Sequence, residues 1–341
     1  MAAHSTAGLG GLVWYGMSYH WGSSLTLSSS PAHDSLMPAV DTAGMGLLTR
    51  TTEFRDSRDI VDDHAALRAR LAVDGYLFVR QLLDPAAVSA LGRKALGHLQ
   101  EAGWTEDGPD PRVVAPQRPV RAVRMRDAFR DPGYQRILMD PDFNKIPFVG
   151  PLAALMRQLL GPTGFCYPLK FPRIVYPASM VPHQPGNVIH KDYSAVQDMF
   201  TTWLPLGSIP QSLGGLAVLP GSQQSTGVRF RPLRHLERGW VTTDYAPGDV
   251  LVFHCLTTHA ALPHCEQRMR ISAEYRWQLA DQPAPRRVIL GPRGQEIGSR
   301  MFGRTDWWRS VLPGLSLFDD GGQGAPARLP PAASRFVTFD H

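Results

Sequence analysis

Asn187-Val188-Ile189-His190-Lys191-Asp192 is a short β-like run that ends on a histidine and an aspartate two residues apart. In an extended strand, residues i and i+2 point to the same face, so one imidazole and one carboxylate can converge on a single ion. A second histidine from elsewhere would complete two nitrogens and one oxygen on one face of an octahedron. That set suits non-haem Fe(II) and leaves three positions open for chemistry. The triplet alone is a weak signal, because His235-Leu236-Glu237 and His264-Cys265-Glu266 have the same form. What surrounds His190 decides the reading.

Downstream and upstream of it, β-like runs recur between turn residues: Leu169–Tyr176, Phe200–Leu206, Gly215–Leu219, Val250–Phe253 and Arg270–Leu279. Strands at such intervals predict an antiparallel sandwich or barrel. The region before residue 165 reads differently. Ile60, Leu67, Leu71 and Val73 sit near helical spacing, Asp74-Gly75 marks a turn, and Tyr76-Leu77-Phe78-Val79 is β-like. Asp84-Pro85 opens a helix running to about Glu101, and a shorter one spans Pro151–Leu160 before Gly161-Pro162. The expected fold is α+β and mainly β: a double-stranded β-helix (jelly roll, cupin-like) with N-terminal helices packed against it. The expected organisation is a leader over 1–57, a main domain over 58–280 (helical to 165, β from 166), and an extension over 281–341 wrapping the core. The leader is Ser-, Gly- and Ala-rich without a clear period, and Met45 is an alternative start. The extension carries an aromatic patch at Trp307-Trp308.

A chain of 341 residues, 43% hydrophobic and 19% charged, has the composition of a soluble globular protein. The net charge of +5 invites a nucleic-acid reading, but the arginines are dispersed among acids without a basic run. No stretch reaches 18 consecutive apolar residues, which argues against a membrane span. The three cysteines are an odd count and form no CxxC pair, which argues against a disulfide framework and for a reducing cytoplasm. Residues 1–49 lack Lys and Arg, hence the basic start of a signal peptide. The expected compartment is the cytoplasm and the expected partner a small molecule, with oligomeric state open.

Five ordered elements carry a resemblance. After His190-Lys191-Asp192 come Thr202-Trp203, then Gly215-Leu216-Ala217-Val218-Leu219-Pro220-Gly221-Ser222. Gly248-Asp249-Val250-Leu251-Val252-Phe253-His254 follows, then His259, then Arg268-Met269-Arg270-Ile271-Ser272. Over residues 60–280 the chain resembles the phytanoyl-CoA dioxygenase family. The resemblance implies Fe(II) held by His190, Asp192 and His259, 2-oxoglutarate as cosubstrate, and O2 as oxidant. His254 matches a non-ligating family histidine, and His264 is expected to be solvated. It implies hydroxylation coupled to conversion of 2-oxoglutarate to succinate and CO2; with Asp192 present, halogenation is not the default. Two departures stand out: Leu213 and Gly214 replace a usual Asn, and Gln223 replaces a usual His.

The far carboxylate of the cosubstrate needs a buried cation, and the planar fork of arginine suits it. Arg268 stands before Ile271 and Tyr275 as the family's arginine stands before its own Ile-Ser and aromatic, and the resemblance therefore prefers it; by the family's usual count from the distal histidine, Arg270 is the alternative. Trp203 matches a family tryptophan that lines that pocket. Tyr193, Arg229 and Arg231 are candidate substrate contacts, the arginines for an anionic group. The rival readings are a cupin-like metal enzyme or isomerase without 2-oxoglutarate, and a non-catalytic binding module.

Overall fold

The computed structural model describes residues 51–105, 112–113, 129–177, 188–192, 198–224, 231–232, 239–302, 306, 309, 312 and 315–318. Helix α1 (His64–Asp74) is capped by Asp63, which accepts from the Ala66 amide. Helices α2 (Pro85–Glu101), α3 (Pro132–Met139) and α4 (Pro141–Lys145) all begin alike. Asp84, Asp131 and Asp140 accept amides of the first turn, and proline takes the position whose N–H would go unused. Helix α5 (Gly150–Leu160) completes the described helices ahead of the sheets.

Six strands form the larger sheet. Its order is β2 (Tyr76–Val79), β10 (Val250–His254), β6 (Phe200–Pro205), β12 (Arg270–Leu279) and β3 (Gly164–Cys166), with β4 (Phe171–Val175) also along β12. Every one of these pairings is antiparallel. The smaller sheet runs β1 (Thr52–Glu53), β9 (Val241–Thr242), β7 (Leu216–Val218) and β11 (His259–Ala261). A separate pair joins β5 (Val188–Ile189) to β8 (Arg231–Pro232).

The period-2 alternation of strands sorts the side chains. Leu251 and Phe253 of β10 join Tyr76, Phe78, Trp203, Leu216, Val218 and Val241 in a cluster drawn from both sheets. Their neighbours Val250 and Val252 turn the other way, onto Leu67, Leu91, Leu155 and Leu159 of the helices. Full burial of such a side chain contributes about 1.5–3 kcal/mol, so register is firmly set on both faces. Strand β12 obeys the same rule with different chemistry. Ile271, Ala273, Tyr275, Trp277 and Leu279 join the helix-side cluster. Arg270, Ser272, Glu274, Arg276 and Gln278 therefore face the space between the sheets.

Two expectations about organisation change. Residues 52–57 belong to the fold: β1 pairs in parallel with β9, and Phe54 and Ser57 are buried. The span expected to be helical to 165 also contributes to the larger sheet, its β-like run Tyr76–Val79 forming the edge strand β2. Gly75, at φ 75°, makes the tight reversal from α1 into β2, where a Cβ would collide with Gln223. The described part of the tail contains β13 (Ala284–Pro285), α6 (Arg286–Leu290), α7 (Pro292–Phe302) and β14 (Leu317–Phe318). Ala284, Val288, Ile289, Leu312 and Leu315 pack on Phe165, Tyr167, Met199 and Cys255. The leader over 1–50 and the Trp307-Trp308 patch lie outside the described residues. No described helix is long and apolar enough to cross a membrane.

Candidate metal centre

The two histidines face each other across a pair of backbone hydrogen bonds. His190 N–H donates to the His259 carbonyl (3.0 Å), and His259 N–H donates to the His190 carbonyl (2.9 Å). Residues paired this way project side chains on the same side, and the rings lie 4.2 Å apart between centroids. Lys191 projects elsewhere, donating from Nζ to the Ser222 carbonyl (2.7 Å). Asp192, two residues on, returns to the histidine side. Its Oδ1 lies 3.9 Å from His190 Nε2 and 3.8 Å from His259 Nε2. One ligand atom from each of the three lies within 4.8 Å of the others. Among the described residues it is the one such group.

Each member is oriented from behind. His259 Nδ1 sits 3.0 Å from the Thr257 carbonyl, which assigns the proton to Nδ1 and leaves Nε2 as the donor atom. Thr201 donates its hydroxyl to Asp192 Oδ2 (2.9 Å), so Oδ1 is the oxygen turned toward the imidazoles. Arg276 Nη2 lies 3.4 Å from the same Oδ1. Arg276 in turn donates from Nε to Glu274 Oε1 (2.8 Å), while Arg173 donates from Nε to Glu274 Oε2 (2.6 Å). The result is a row of alternating charge, Arg173–Glu274–Arg276–Asp192, that runs from the inward faces of β4 and β12 to the segment after β5.

Burial and charge set the protonation states. Burial, and then His190, push the His259 imidazole down to about 4, against the opposing pull of Asp192. Burial raises the Asp192 carboxyl, but Arg276 and the two imidazoles outweigh it and hold it well below the usual carboxylate range. At neutral pH His259 is therefore a neutral imidazole and Asp192 a carboxylate, the forms that binding a divalent ion requires of them. A stability prediction follows for the metal-free protein. His259 has a folded pKa below its unfolded value of 6.5, so its contribution is complete above about pH 6.5 and is lost as pH falls toward 4. The loss is on the order of 3 kcal/mol, and Asp192 adds to it in the same direction below about pH 4. Denaturant midpoints from pH 7.5 to 4 check this; a flat profile through that window would contradict it.

The two candidate arginines separate cleanly. Arg268 precedes β12 and is partly exposed, with Nε 2.7 Å from Glu266 Oε2 and Nη2 on the same oxygen. Arg270 is buried, donates from Nη1 to the Gly214 carbonyl, and lies 5.8 Å from the Trp203 ring centroid. Among the described residues its Nε has no hydrogen-bond partner, and neither has the buried Ser272 hydroxyl two residues on. Burial and the charge of Arg173 push the Arg270 guanidinium down to about 10, which leaves it cationic at neutral pH. A buried cation without a described carboxylate partner, beside an orphaned hydroxyl, is a fit for a carboxylate from outside the chain. Trp203 is buried in the inter-sheet cluster, 4.7 Å from the Tyr245 ring centroid.

Other expected positions fall as follows. His254 lies 3.4 Å from Asp198 Oδ1, apart from the triad. His264, expected to be solvated, is buried at 3% exposure because residues 213 and 264 bridge. Gln223 is tied through Nε2 to the Ala72 and Val73 carbonyls, so that departure braces α1. Tyr193 and Arg229 lie outside the described residues, and of Arg231 only the backbone in β8 is described. Arg276, Glu274 and Arg173 were not singled out from the sequence. Their alternation with apolar residues has the same form as the solvent face of an ordinary strand, so the sequence carries no signal that separates them from it.

Two imidazoles and one carboxylate thus converge as a set that could hold a divalent metal ion. The chain belongs to the Phytanoyl-CoA dioxygenase (PhyH) family, which it matches over residues 71–272. The 1-deoxypentalenic acid 11-beta-hydroxylase of Streptomyces arenae is 27% identical over 255 residues, covering 67% of this chain and 86% of that protein. The enzyme of the same name from Streptomyces exfoliatus is 24% identical over 256 residues, with the same coverage. Among solved structures, the non-haem α-ketoglutarate-dependent epimerase SnoN from nogalamycin biosynthesis gives a TM-score of 0.42 at 19% identity, over 65% of this chain and 84% of that one.

Proposed function

We propose that this chain is an Fe(II)- and 2-oxoglutarate-dependent dioxygenase that hydroxylates an unactivated C–H bond of a small molecule, in bacterial specialised metabolism and in the cytoplasm. One observation carries the reading: the oriented His190, Asp192 and His259 share the inter-sheet space with a buried Arg270 that has no described carboxylate partner. Strand β6 links the two ends. Thr201 holds Asp192 and Trp203 meets Arg270, and same-face positions on a strand stand about 7 Å apart. A dicarboxylate with one end at the metal and the other at Arg270 fits that arrangement. Geometry thus favours Arg270 over Arg268, reversing the preference taken from spacing, with Ser272 as a second donor and Trp203 as wall. We read the two sheets as a double-stranded β-helix whose ends are braced by the helices and the tail.

His190, Asp192 and His259 would hold the ferrous ion, and Arg270 with Ser272 the far carboxylate of 2-oxoglutarate. When bound, the ion and cosubstrate supply oxidative decarboxylation to succinate and CO2 coupled to C–H oxidation by O2. The chain's own part is geometric and electrostatic. Thr257 fixes the His259 tautomer, Thr201 and Arg276 fix the carboxylate, and the apolar cluster around Trp203 excludes water from the cosubstrate end.

Anaerobic addition of Fe(II) and then 2-oxoglutarate tests the reading through the weak visible charge-transfer band of the chelate. A band is expected in the wild type. Iron binding without one would transfer the site to a metal enzyme that does not use 2-oxoglutarate. Arg268→Ala is expected to shift the 2-oxoglutarate midpoint by less than about fivefold, because it removes only a partly exposed ion pair. A loss of the band in that variant would restore Arg268 as the binder.

A further inference from the structure

Charge balance in the inter-sheet space points to the class of substrate, given the reading above. Among the described residues, this space holds three cations, Arg173, Arg270 and Arg276, and two anions, Asp192 and Glu274. A ferrous ion and the 2-oxoglutarate dianion add no net charge. In the loaded site, the cosubstrate's far carboxylate answers Arg270, and Asp192 turns its charge on the metal. Arg173 and Arg276 are then left sharing one anion, Glu274. Buried charge is normally matched, so the trio calls for one more anion, and substrate is the component still to enter.

Within the trio, Arg173 is the group placed to receive it. Its side chain is 27% exposed, against 17% for Arg276 and 8% for Glu274. Nε and Nη2 of Arg173 are both directed at Glu274 Oε2, at 2.6 Å each. Nη1 has no hydrogen-bond acceptor among the described residues. The guanidinium is also held in orientation, 5.2 Å above the Phe171 ring, with Arg276 at 5.2 Å from the same ring. A cation fixed in place loses little freedom on binding. The segments adjoining β5 and Asp192 in the chain, 178–187 and 193–197, contain no Asp or Glu, and segment 114–128, which leads to the Phe129 ring packed on Phe171, has one acid, Asp127, against four arginines.

We propose that Arg173 docks an anionic group of the substrate, a single carboxylate, and so makes this enzyme selective for small organic acids. The trio then holds two cations and two anions. The carboxylate end is anchored at β4, while the rest of the molecule lies toward the open side of the triad.

The test uses the full chain loaded with Co(II) and saturating 2-oxoglutarate under anaerobic conditions, read by the cobalt d–d bands. If the loaded complex fails to form, the proposed function fails, and the Arg173 proposal that rests on it falls with it. With the complex formed, hexanoate and hexanamide are titrated at two 2-oxoglutarate concentrations. A saturable perturbation by hexanoate and none by hexanamide is expected, with a midpoint independent of 2-oxoglutarate. Arg173→Gln is expected to weaken the hexanoate midpoint by at least about tenfold. Arg173→Lys keeps the charge without the fork; its expected several-fold weakening decides the matter if the glutamine variant does not load cobalt. Equal responses to acid and amide, no response to either, competition with 2-oxoglutarate, or an unchanged midpoint in the variants would each overturn Arg173 alone, leaving the proposed function standing.

Discussion

Replacing Asp192 by Asn is expected to weaken Co(II) or Fe(II) binding by more than about 100-fold, beyond the ~10–100-fold range typical of groups that only support a ligand. The substitution preserves shape and changes charge. Thr201 can still donate to the carbonyl oxygen of the new side-chain amide, so the segment after β5 keeps an anchor. What disappears is the anion between two imidazoles and a guanidinium: Oδ1 lies 3.9 and 3.8 Å from the histidines and 3.4 Å from Arg276. Removing one member of a buried pair can cost about 3–5 kcal/mol; Arg276 keeps Glu274, so the metal-free protein should lose roughly 1–3 kcal/mol at neutral pH. Metal titration followed by optical bands, alongside denaturant midpoints without metal, separates the two effects. Undiminished metal affinity would remove Asp192 from the ligand set.

The parts of this site that the sequence discloses are those governed by local rules. His190 and Asp192 share a face because strands alternate, and β12 was bounded correctly because its apolar half repeats at every second residue. The same alternation hid its other half. Arg270, Ser272, Glu274 and Arg276 look like the solvent face of an ordinary strand. Only burial by the second sheet shows that they face a site. The choice between Arg268 and Arg270 was likewise a tertiary question. Both sit near the start of one strand, and what separates them is that Glu266 captures one and the Gly214 carbonyl the other.

Helix starts show a different kind of miss. Asp84-Pro85 was legible, yet Asp131-Pro132 and Asp140-Pro141 carry the same capping chemistry and open α3 and α4. They were passed over because each helix is short and its apolar stripe too brief to register as a period. The N-terminal boundary failed for a non-local reason. Thr52 and Glu53 are strand only by pairing with Val241 and Thr242, nearly two hundred positions away. For the tail, composition suggests only a wrap around the core and gives no period for its elements: Pro285 and Pro292 stand at helices whose Val288, Ile289 and Ile297 are buried.

Replacing Arg270 by Met is expected to raise the dissociation constant of 2-oxoglutarate on the order of 100- to 1,000-fold, while metal affinity in its absence changes by only a few-fold. The asymmetry follows from position. Arg270 contacts Gly214 and Trp203 and has no acidic partner among the described residues, whereas the ligand set is supported by Thr201, Thr257 and Arg276. The same isolation predicts an unusual effect on stability. A buried guanidinium with an unsatisfied Nε is a cost in the cosubstrate-free protein, and methionine replaces it with apolar volume. Arg270→Met should therefore leave the cosubstrate-free protein as stable as wild type, or more so, at the same time as it disables cosubstrate binding. Such a trade marks a residue kept for function rather than for folding. Arg270→Lys, which keeps a charge but loses the fork, should fall between the two in affinity. Titration of the charge-transfer band together with denaturant midpoints reads both quantities. If the Met variant were strongly destabilised and bound 2-oxoglutarate normally, Arg270 would be a packing cation and the carboxylate would have to dock elsewhere.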